Sequence, residues 1–270
     1  MIIEAKNQSI YYESYGEGLP LIILHGLYLD SISMIHAIED TSIELKGFRR
    51  IYIDMPGMGQ TLGHHLPNNT DSMLDILAEC IIELTDDRPF IVMGYSYGGY
   101  LAQGIAKRFR YQVIGEVLVC PVVIPKMAER QLAEIFHHDI DVKFLATLSN
   151  EQQQKLMNKM VVINERTYLR NQADFSRAIA LADKTFLGDL YSEANYSSVY
   201  IEEHEMIHTH KTLIFLGYQD NVVGYQDMMD RLVKYPKATV SLMTNASHSF
   251  FLEQPKEFER KLNSWLSQYK

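Results

Sequence analysis

A serine flanked by glycines, in the pattern G-x-S-x-G, is the feature that most restricts how this 270-residue chain can fold. Residues 94–98 read Gly-Tyr-Ser-Tyr-Gly and directly follow the apolar run at residues 89–93. A turn of this kind holds its central residue, here Ser96, in strained backbone geometry, so its flanks can carry almost no side chain. Gly94 and Gly98 meet that requirement. The pattern predicts a nucleophile elbow that lifts the Ser96 hydroxyl clear of a sheet.

The sequence around the turn supplies the context that a short pattern needs before it indicates a function. The run at residues 89–93, Pro-Phe-Ile-Val-Met, is typical of a buried parallel strand. Small residues recur between Tyr97 and Arg110, which allows a helix to pack closely on a sheet. The sequence therefore predicts a strand, a sharp turn and a helix in succession.

A base and an acid are the partners that a reactive serine requires. A serine hydroxyl is a poor nucleophile until a base takes its proton, and an acid must hold that base in the correct tautomer. Residues 211–217 read as another buried strand, and residues 238–243 read as the next strand. Asp220 follows the first strand, and His248 follows the second in a polar loop. The sequence thus predicts Ser96, Asp220 and His248 at the carboxyl ends of three strands.

Four motifs of the chain resemble those of the α/β-hydrolase superfamily. One is the elbow at residues 94–98. His25-Gly26, after the apolar run at residues 21–24, resembles the oxyanion-hole loop of that family. Residues 54–59, Asp-Met-Pro-Gly-Met-Gly, resemble its D-x-P-G-x-G loop, and His248 with Glu-Gln-Pro shortly after it resembles its C-terminal histidine signature. The resemblance implies an α/β fold, in which a mostly parallel central sheet carries helices on both faces and a helical cap is inserted after strand 6.

The domain boundaries follow from that resemblance and from the hydrophobic pattern. Residues 1–124 and 211–270 are expected to form the α/β-hydrolase core, and residues 125–210 a helical cap or lid, since strand patterns largely disappear there. Within the cap, helices are predicted at residues 126–138, 151–160 and 175–188. The other predicted elements are antiparallel strands within 2–15, helices at 31–46, 71–86 and 225–234, and strands at 50–53 and 113–119.

The resemblance also implies the chemistry of the site. Ser96 would attack an ester-type carbonyl, His248 would accept and then donate the proton, and Asp220 would orient the imidazole. The backbone N–H groups of Tyr97 and Leu27 would form the oxyanion hole. The expected function is that of a serine hydrolase of the esterase-like branch, which cleaves a small carboxylic ester, lactone or thioester through an acyl-enzyme. Neither a metal nor an organic cofactor is expected.

Several assignments keep an alternative. Asp227 and Asp230 are rival acids, although the predicted helix at 225–234 would carry both away from the strand end. Tyr28 and Tyr95 are candidates for the substrate pocket, and Tyr95 is equally well explained by packing on the sheet. A carbon-carbon bond hydrolase of the same fold, or a ligand-binding protein with low turnover, would carry the same motifs.

Histidine clusters could indicate a metal. Residues 204–208, His-Glu-Met-Ile-His, match the H-E-x-x-H pattern, in which two histidines one helical turn apart bind zinc. The match adjoins the strand predicted at 211–217, which leaves little room for a full helix. The surface of the cap is the favoured location for this cluster, including nearby His210. The pairs His64-His65 and His137-His138 are also expected at the surface.

Composition restricts the partners and the compartment. A net charge of −9 disfavours nucleic acid and anionic membranes, because both attract basic patches. The first residues lack the apolar core of a signal peptide, and no apolar run is long enough to span a membrane. Cys80 and Cys120 are expected to stay reduced in the cytoplasm. The expected partner is a small-molecule substrate, and an exposed apolar cap surface would allow a homodimer.

Overall fold

The computed structural model describes residues 1–63, 67–137, 139–203 and 206–270, and an eight-stranded sheet forms its centre. The strands are β1 (Ile2–Ala5), β2 (Gln8–Tyr15), β3 (Leu19–Leu24), β4 (Phe48–Ile53), β5 (Phe90–Tyr95), β6 (Val113–Val119), β7 (Asp139–Ile140), β8 (Val162–Ile163), β9 (Lys211–Gly217) and β10 (Ala238–Met243). The order of the strands across the large sheet is β1-β2-β4-β3-β5-β6-β9-β10, while β7 and β8 pair separately.

The sheet is parallel except at one edge. Strand β2 pairs antiparallel with β1 and β4, and all other neighbours in the large sheet run parallel. Strands β3 and β5 consist of apolar runs that are buried on both faces, as expected where helices cover both sides of a parallel sheet. Because β5, β9 and β10 are parallel, their carboxyl ends lie on the same side of the sheet, where the strands end.

Helices cover both faces of this sheet. On β6, Gly115 faces Trp265 of the last long helix, and the next residue, Glu116, points to the opposite face because side chains alternate along a strand. The helices outside residues 125–210 are α1 (Ser31–Ile38), α2 (Thr70–Thr85), α3 (Tyr97–Arg108), α11 (Gln226–Asp230), α12 (Phe250–Glu253) and α13 (Pro255–Leu266). None of the described helices combines the length and the apolar composition needed to cross a bilayer.

Residues 125–210, hereafter the insertion, lie between β6 and β9. They contain the short parallel pair of β7 and β8, which was not predicted. The helix predicted at 151–160 is confirmed as α5. The helices of the insertion are α4 (Val142–Leu145), α5 (Asn150–Met157), α6 (Glu165–Arg170), α7 (Arg177–Leu181), α8 (Lys184–Leu190), α9 (Glu193–Tyr196) and α10 (Val199–Glu203), and a π-helical turn at Asn171–Ser176 joins α6 to α7.

The helix predicted at 126–138 is wrong, because over the described residues 126–137 the only helical element is a 3-10 turn at Met127–Glu129. The guanidinium of Arg130 donates hydrogen bonds to the carbonyl oxygens of Ile124, Pro125 and Val222, so a side chain takes up carbonyl groups along this segment. The chain then runs on without a regular helix. A local hydrophobic pattern does not reveal such a competitor for backbone hydrogen bonds.

Three other predicted helices are shorter or broken. The segment 175–188 is interrupted at Asp183, whose carboxylate accepts a hydrogen bond from the N–H of Phe186 and begins α8. The helix predicted at 31–46 ends at Ile38, whose carbonyl oxygen accepts from the hydroxyl of Thr41. The helix predicted at 225–234 is α11 followed by a 3-10 turn at Leu232–Lys234.

Candidate active site

Ser96 lies in the strained turn that the sequence predicted. Its φ is 55° and its ψ is −117°, a conformation that a non-glycine residue rarely adopts. A Cβ atom on Gly94 would overlap the carbonyl oxygen of Gly98, and one on Gly98 would overlap that of His25. The N–H of Ser96 donates to the carbonyl oxygen of Val119, 2.9 Å away, which ties the turn to the end of β6. Both glycines are therefore required by the backbone around them.

His248 and Asp220 lie in line with the Ser96 hydroxyl. Nε2 of His248 is 2.9 Å from Oγ of Ser96, and Nδ1 is 2.7 Å from Oδ2 of Asp220. The structure thus brings together the three side chains that the sequence placed at the ends of β5, β9 and β10. With Nδ1 protonated towards Asp220, Nε2 is left as the acceptor that faces Ser96.

The environment of Asp220 keeps its carboxylate ionised. Its Oδ1 accepts hydrogen bonds from the N–H groups of Val222 and Val223, both at 2.9 Å. Burial raises the pKa of Asp220, but the neighbouring His248 and these two amides outweigh burial and lower the pKa below its usual value of 3.8. The rival acid Asp227 accepts instead from the backbone and side chain of Gln131 in the insertion.

The loop after β3 lies directly beside Ser96. A Cβ atom built on Gly26 would be 3.3 Å from Cβ of Ser96, and Leu27 follows it along the edge of the same cavity. His25 is fully buried and braces this loop, because its Nδ1 lies 2.8 Å from the carbonyl oxygen of Gly26 and its Nε2 accepts from the N–H of Met55. Tyr97 is the first residue of α3, with its ring buried.

Asp54 organises the neighbouring loop. Its two carboxylate oxygens accept hydrogen bonds from the N–H groups of Ser31, at 2.7 Å, and Gln60, at 2.8 Å. Asp54 is buried and fixes the start of α1 close to the loop that carries Leu27. These contacts give the aspartate of the D-x-P-G-x-G motif a structural role, because it holds two backbone segments together.

A cavity of about 700 Å³ opens onto Ser96 and His248. Its wall includes Tyr28, whose φ is +62°, and several aromatic and aliphatic side chains of the insertion. A cavity of this size and composition is typical of a site for a small molecule. The insertion contributes Phe175, Ile179, Tyr191 and Tyr196.

Two residues contact the loop that carries His248. The sequence left the role of one of them open and did not reveal the role of the other. Tyr95 lines the cavity, yet it is almost fully buried, and its hydroxyl donates a hydrogen bond to the carbonyl oxygen of His248. It therefore contributes both to the cavity wall and to the packing around His248. Glu253 was noted only as part of a motif. Its carboxylate accepts from the N–H of Ser247 and from those of Val161 and Val162 in the insertion. No local sequence signal reveals contacts made across such distances along the chain.

Comparison with known proteins identifies the family. A sequence model described as "Alpha/beta hydrolase family" matches residues 21–261, which is most of the chain. The chain belongs to this family. Among solved structures, this α/β hydrolase resembles an alpha/beta superfamily hydrolase from Oenococcus oeni, with 30% identity and a TM-score of 0.87. That comparison covers 99% of this chain and 98% of the other, so it extends through the insertion.

Two curated relatives match only part of this α/β hydrolase. An (E)-2-((N-methylformamido)methylene)succinate hydrolase of Acinetobacter baylyi is 29% identical over 102 residues, which are 38% of this chain and 37% of the relative. A pimeloyl-[acyl-carrier protein] methyl ester esterase of Shewanella woodyi is 32% identical over 115 residues, or 42% of this chain and 40% of the relative. The matches thus span less than half the length of these two relatives.

The histidines near residue 208 are not at the surface of this α/β hydrolase, and that expectation was wrong. His208 is buried and His210 is partly buried, and both lie against the carboxylate of Glu116 on β6. Burial raises the pKa of Glu116, but the two histidines outweigh burial and lower the pKa to about 2. His204 and Glu205 of the H-E-x-x-H match, the pair His64-His65, and His138 lie outside the described residues.

Proposed function

We propose that the chain is a serine hydrolase that cleaves a small carboxylic ester, lactone or thioester through an acyl-enzyme. The 2.9 Å separation between Nε2 of His248 and Oγ of Ser96, with Asp220 on the other ring nitrogen, is the observation that carries the proposal. This separation lies within the range over which a base removes a proton from a hydroxyl. The esterase among the curated relatives supports the same reaction class.

The proposed reaction proceeds in two stages. Oγ of Ser96 attacks the carbonyl carbon while its proton passes to Nε2 of His248, and the N–H groups of Leu27 and Tyr97 stabilise the oxyanion. The tetrahedral intermediate collapses, and His248 gives the proton to the departing alcohol or thiol. Water then attacks the acyl-enzyme with His248 as base, which releases the acid and restores Ser96. Asp220 stabilises the imidazolium in both stages.

The insertion is proposed to act as the cap of this site. It supplies much of the apolar wall of the cavity, including Phe175, Ile179 and Tyr191. An apolar wall binds an acyl or aryl group by removing its surface from water, and a partly enclosed site limits entry of bulky chains. Small esters with short apolar acyl groups are therefore the proposed substrates.

Hydrolysis of p-nitrophenyl acetate and butyrate by the wild type and by the Ser96→Ala variant tests the proposal. We expect the variant to lose about 10⁴-fold in kcat while its circular dichroism spectrum stays unchanged. Ser264→Ala, at an exposed position on α13, is a matched control and should keep full activity. Equal activity in Ser96→Ala and the wild type would refute the acyl-enzyme route.

Two alternatives predict different outcomes of the same assay. A carbon-carbon bond hydrolase would cleave vinylogous diketones much faster than simple esters, and that activity would still require Ser96. A binding protein with low turnover would bind small molecules tightly and hydrolyse none of these substrates, with or without Ser96.

A further inference from the structure

Three side chains that could bind a metal meet on the sheet, apart from the catalytic cavity. Glu116 projects from the middle of β6, and His208 and His210 come from the end of the insertion, just before β9. None of the three lines the cavity that contains Ser96. One ligand atom from each lies within 4.8 Å of the other two. The cluster is therefore a compact set of one carboxylate and two imidazoles.

The separations between the donor atoms suit a small divalent cation. Oε2 of Glu116 is 3.2 Å from Nδ1 of His208 and 3.0 Å from Nε2 of His210. Zinc binds carboxylate oxygen and imidazole nitrogen at about 2.0 to 2.2 Å, and in a tetrahedral site this places neighbouring ligand atoms about 3.3 Å apart. Small side-chain movements would bring the three atoms onto one face of such a tetrahedron.

Unpartnered polar atoms are the second, independent observation. Among the described residues, Oε1 of Glu116 and Oγ1 of Thr212 have no hydrogen-bond partner, although both are buried. Thr212 is the cross-strand neighbour of Glu116 in the β6–β9 pair, so both project from the same face of the sheet. Buried polar atoms without partners are costly, and a group of them at one point indicates an occupant.

The surroundings hold His208 in place. Its ring stacks on that of Tyr235 with centroids 4.2 Å apart. Its backbone N–H donates a hydrogen bond to the carbonyl oxygen of Lys234 at 2.8 Å. Tyr235 in turn contacts Gln103 of α3 through its hydroxyl. A ring that is held on its face and at its backbone loses little freedom when Nδ1 binds a cation.

We propose that Glu116, His208 and His210 bind one zinc ion, which fastens the end of the insertion to strand β6. Three protein ligands leave a fourth position for water or for the hydroxyl of Thr212. The ion compensates the negative charge of the buried carboxylate and supplies a partner for polar atoms that otherwise have none. Because the site lies apart from the cavity, its role is to stabilise the fold, and the proposed hydrolysis does not depend on it.

Metal titration of purified, tag-free and chelator-treated protein tests this proposal. We expect Zn²⁺ to bind with a stoichiometry of one by calorimetry, and Co²⁺ to give the strong visible absorption of a tetrahedral site. The melting temperature should rise with the concentration of free Zn²⁺, because an ion that binds only the folded chain stabilises it. Ser96→Ala should bind Zn²⁺ like the wild type, which separates this test from that of the proposed function.

Two ligand variants and a matched control complete the design. His210→Gln and Glu116→Gln should lose the one-site binding and the thermal shift. His137→Gln, at an exposed histidine, should keep both. Should Glu116→Gln fail to fold by circular dichroism, His210→Gln decides alone, because it leaves the buried carboxylate and His208 in place. Absence of one-site binding in the wild type, or unchanged binding in His210→Gln, would overturn the proposal.

Discussion

The hydroxyl of Tyr95 donates a hydrogen bond to the backbone carbonyl oxygen of His248 across 3.0 Å, and the two rings lie 5.2 Å apart between centroids. Tyr95 precedes Ser96 directly in the chain, whereas His248 is 153 residues away. The residue next to the proposed nucleophile therefore fixes the loop that carries the proposed base. The end of β5 thus helps to position both groups.

Tyr95→Phe should lower kcat by about tenfold or less while KM changes little. The variant keeps the ring and its packing on His248 but loses one hydrogen bond, which is worth about 1 kcal/mol. A loosened loop misplaces the imidazole in the transition state more than it affects binding. Steady-state kinetics on p-nitrophenyl butyrate measure the effect. A large rise in KM with unchanged kcat would show that Tyr95 acts through the cavity wall and not through His248.

Gly98→Ala should destabilise the protein by at least about 2 kcal/mol, because the added methyl group would overlap the carbonyl oxygens of Leu24 and His25. Gly188→Ala is the matched control, since the space around Gly188 in α8 is open. In that exposed helical position alanine should be neutral or stabilise by up to about 1 kcal/mol. Urea denaturation of both variants measures the free energies. Similar values for the two would contradict the packing seen at the elbow.

The low pKa of Asp220 predicts how stability depends on pH. Burial raises this pKa, but His248 and the amides of Val222 and Val223 lower it by more than burial raises it. The unfolded chain therefore binds the proton more tightly than the folded one. The resulting stabilisation is complete above about pH 5 and declines as the pH falls from about 4 through the folded-state pKa. In Asp220→Asn this contribution is absent.

Chemical denaturation of the wild type and Asp220→Asn between about pH 3 and pH 6 measures this difference. The free-energy gap between the two proteins should narrow as the pH falls. A gap that is constant or that widens towards acid would show that Asp220 is not held ionised by His248. The same variant should lose most of its ester hydrolysis at neutral pH, because the introduced amide would favour the wrong tautomer of His248.

The sequence predicted the positions of Ser96, Asp220 and His248 because each follows a strand whose apolar run is visible in the chain. Parallel strands end at one edge of a sheet, so residues after different strands meet without any further information. The glycines at 94 and 98 were predicted for the same local reason, since a backbone conformation restricts the residue type at that position. A local sequence pattern is sufficient to predict a residue when the constraint on that residue comes from its immediate neighbours in the chain.

Contacts between distant segments could not be predicted in this way. Glu116 reads as one polar residue in a strand, and its meeting with His208 and His210 depends on how the end of the insertion passes over β6. The segment after Pro125 has a helical pattern, but the hydrogen bonds of Arg130 to three carbonyl oxygens favour an irregular path. In the segment after Pro125, tertiary hydrogen bonds override a weak local preference for helix.

The measurement that tests the central claim most directly is mass spectrometry of the protein quenched with acid during turnover of p-nitrophenyl butyrate. An acyl-enzyme on Ser96 predicts a butyryl adduct on the peptide that contains residues 94–98, and no adduct in Ser96→Ala. Asp220→Asn should form the adduct more slowly after mixing, because its His248 activates Ser96 poorly. An active wild type with no adduct, or with its adduct on another peptide, would contradict the account.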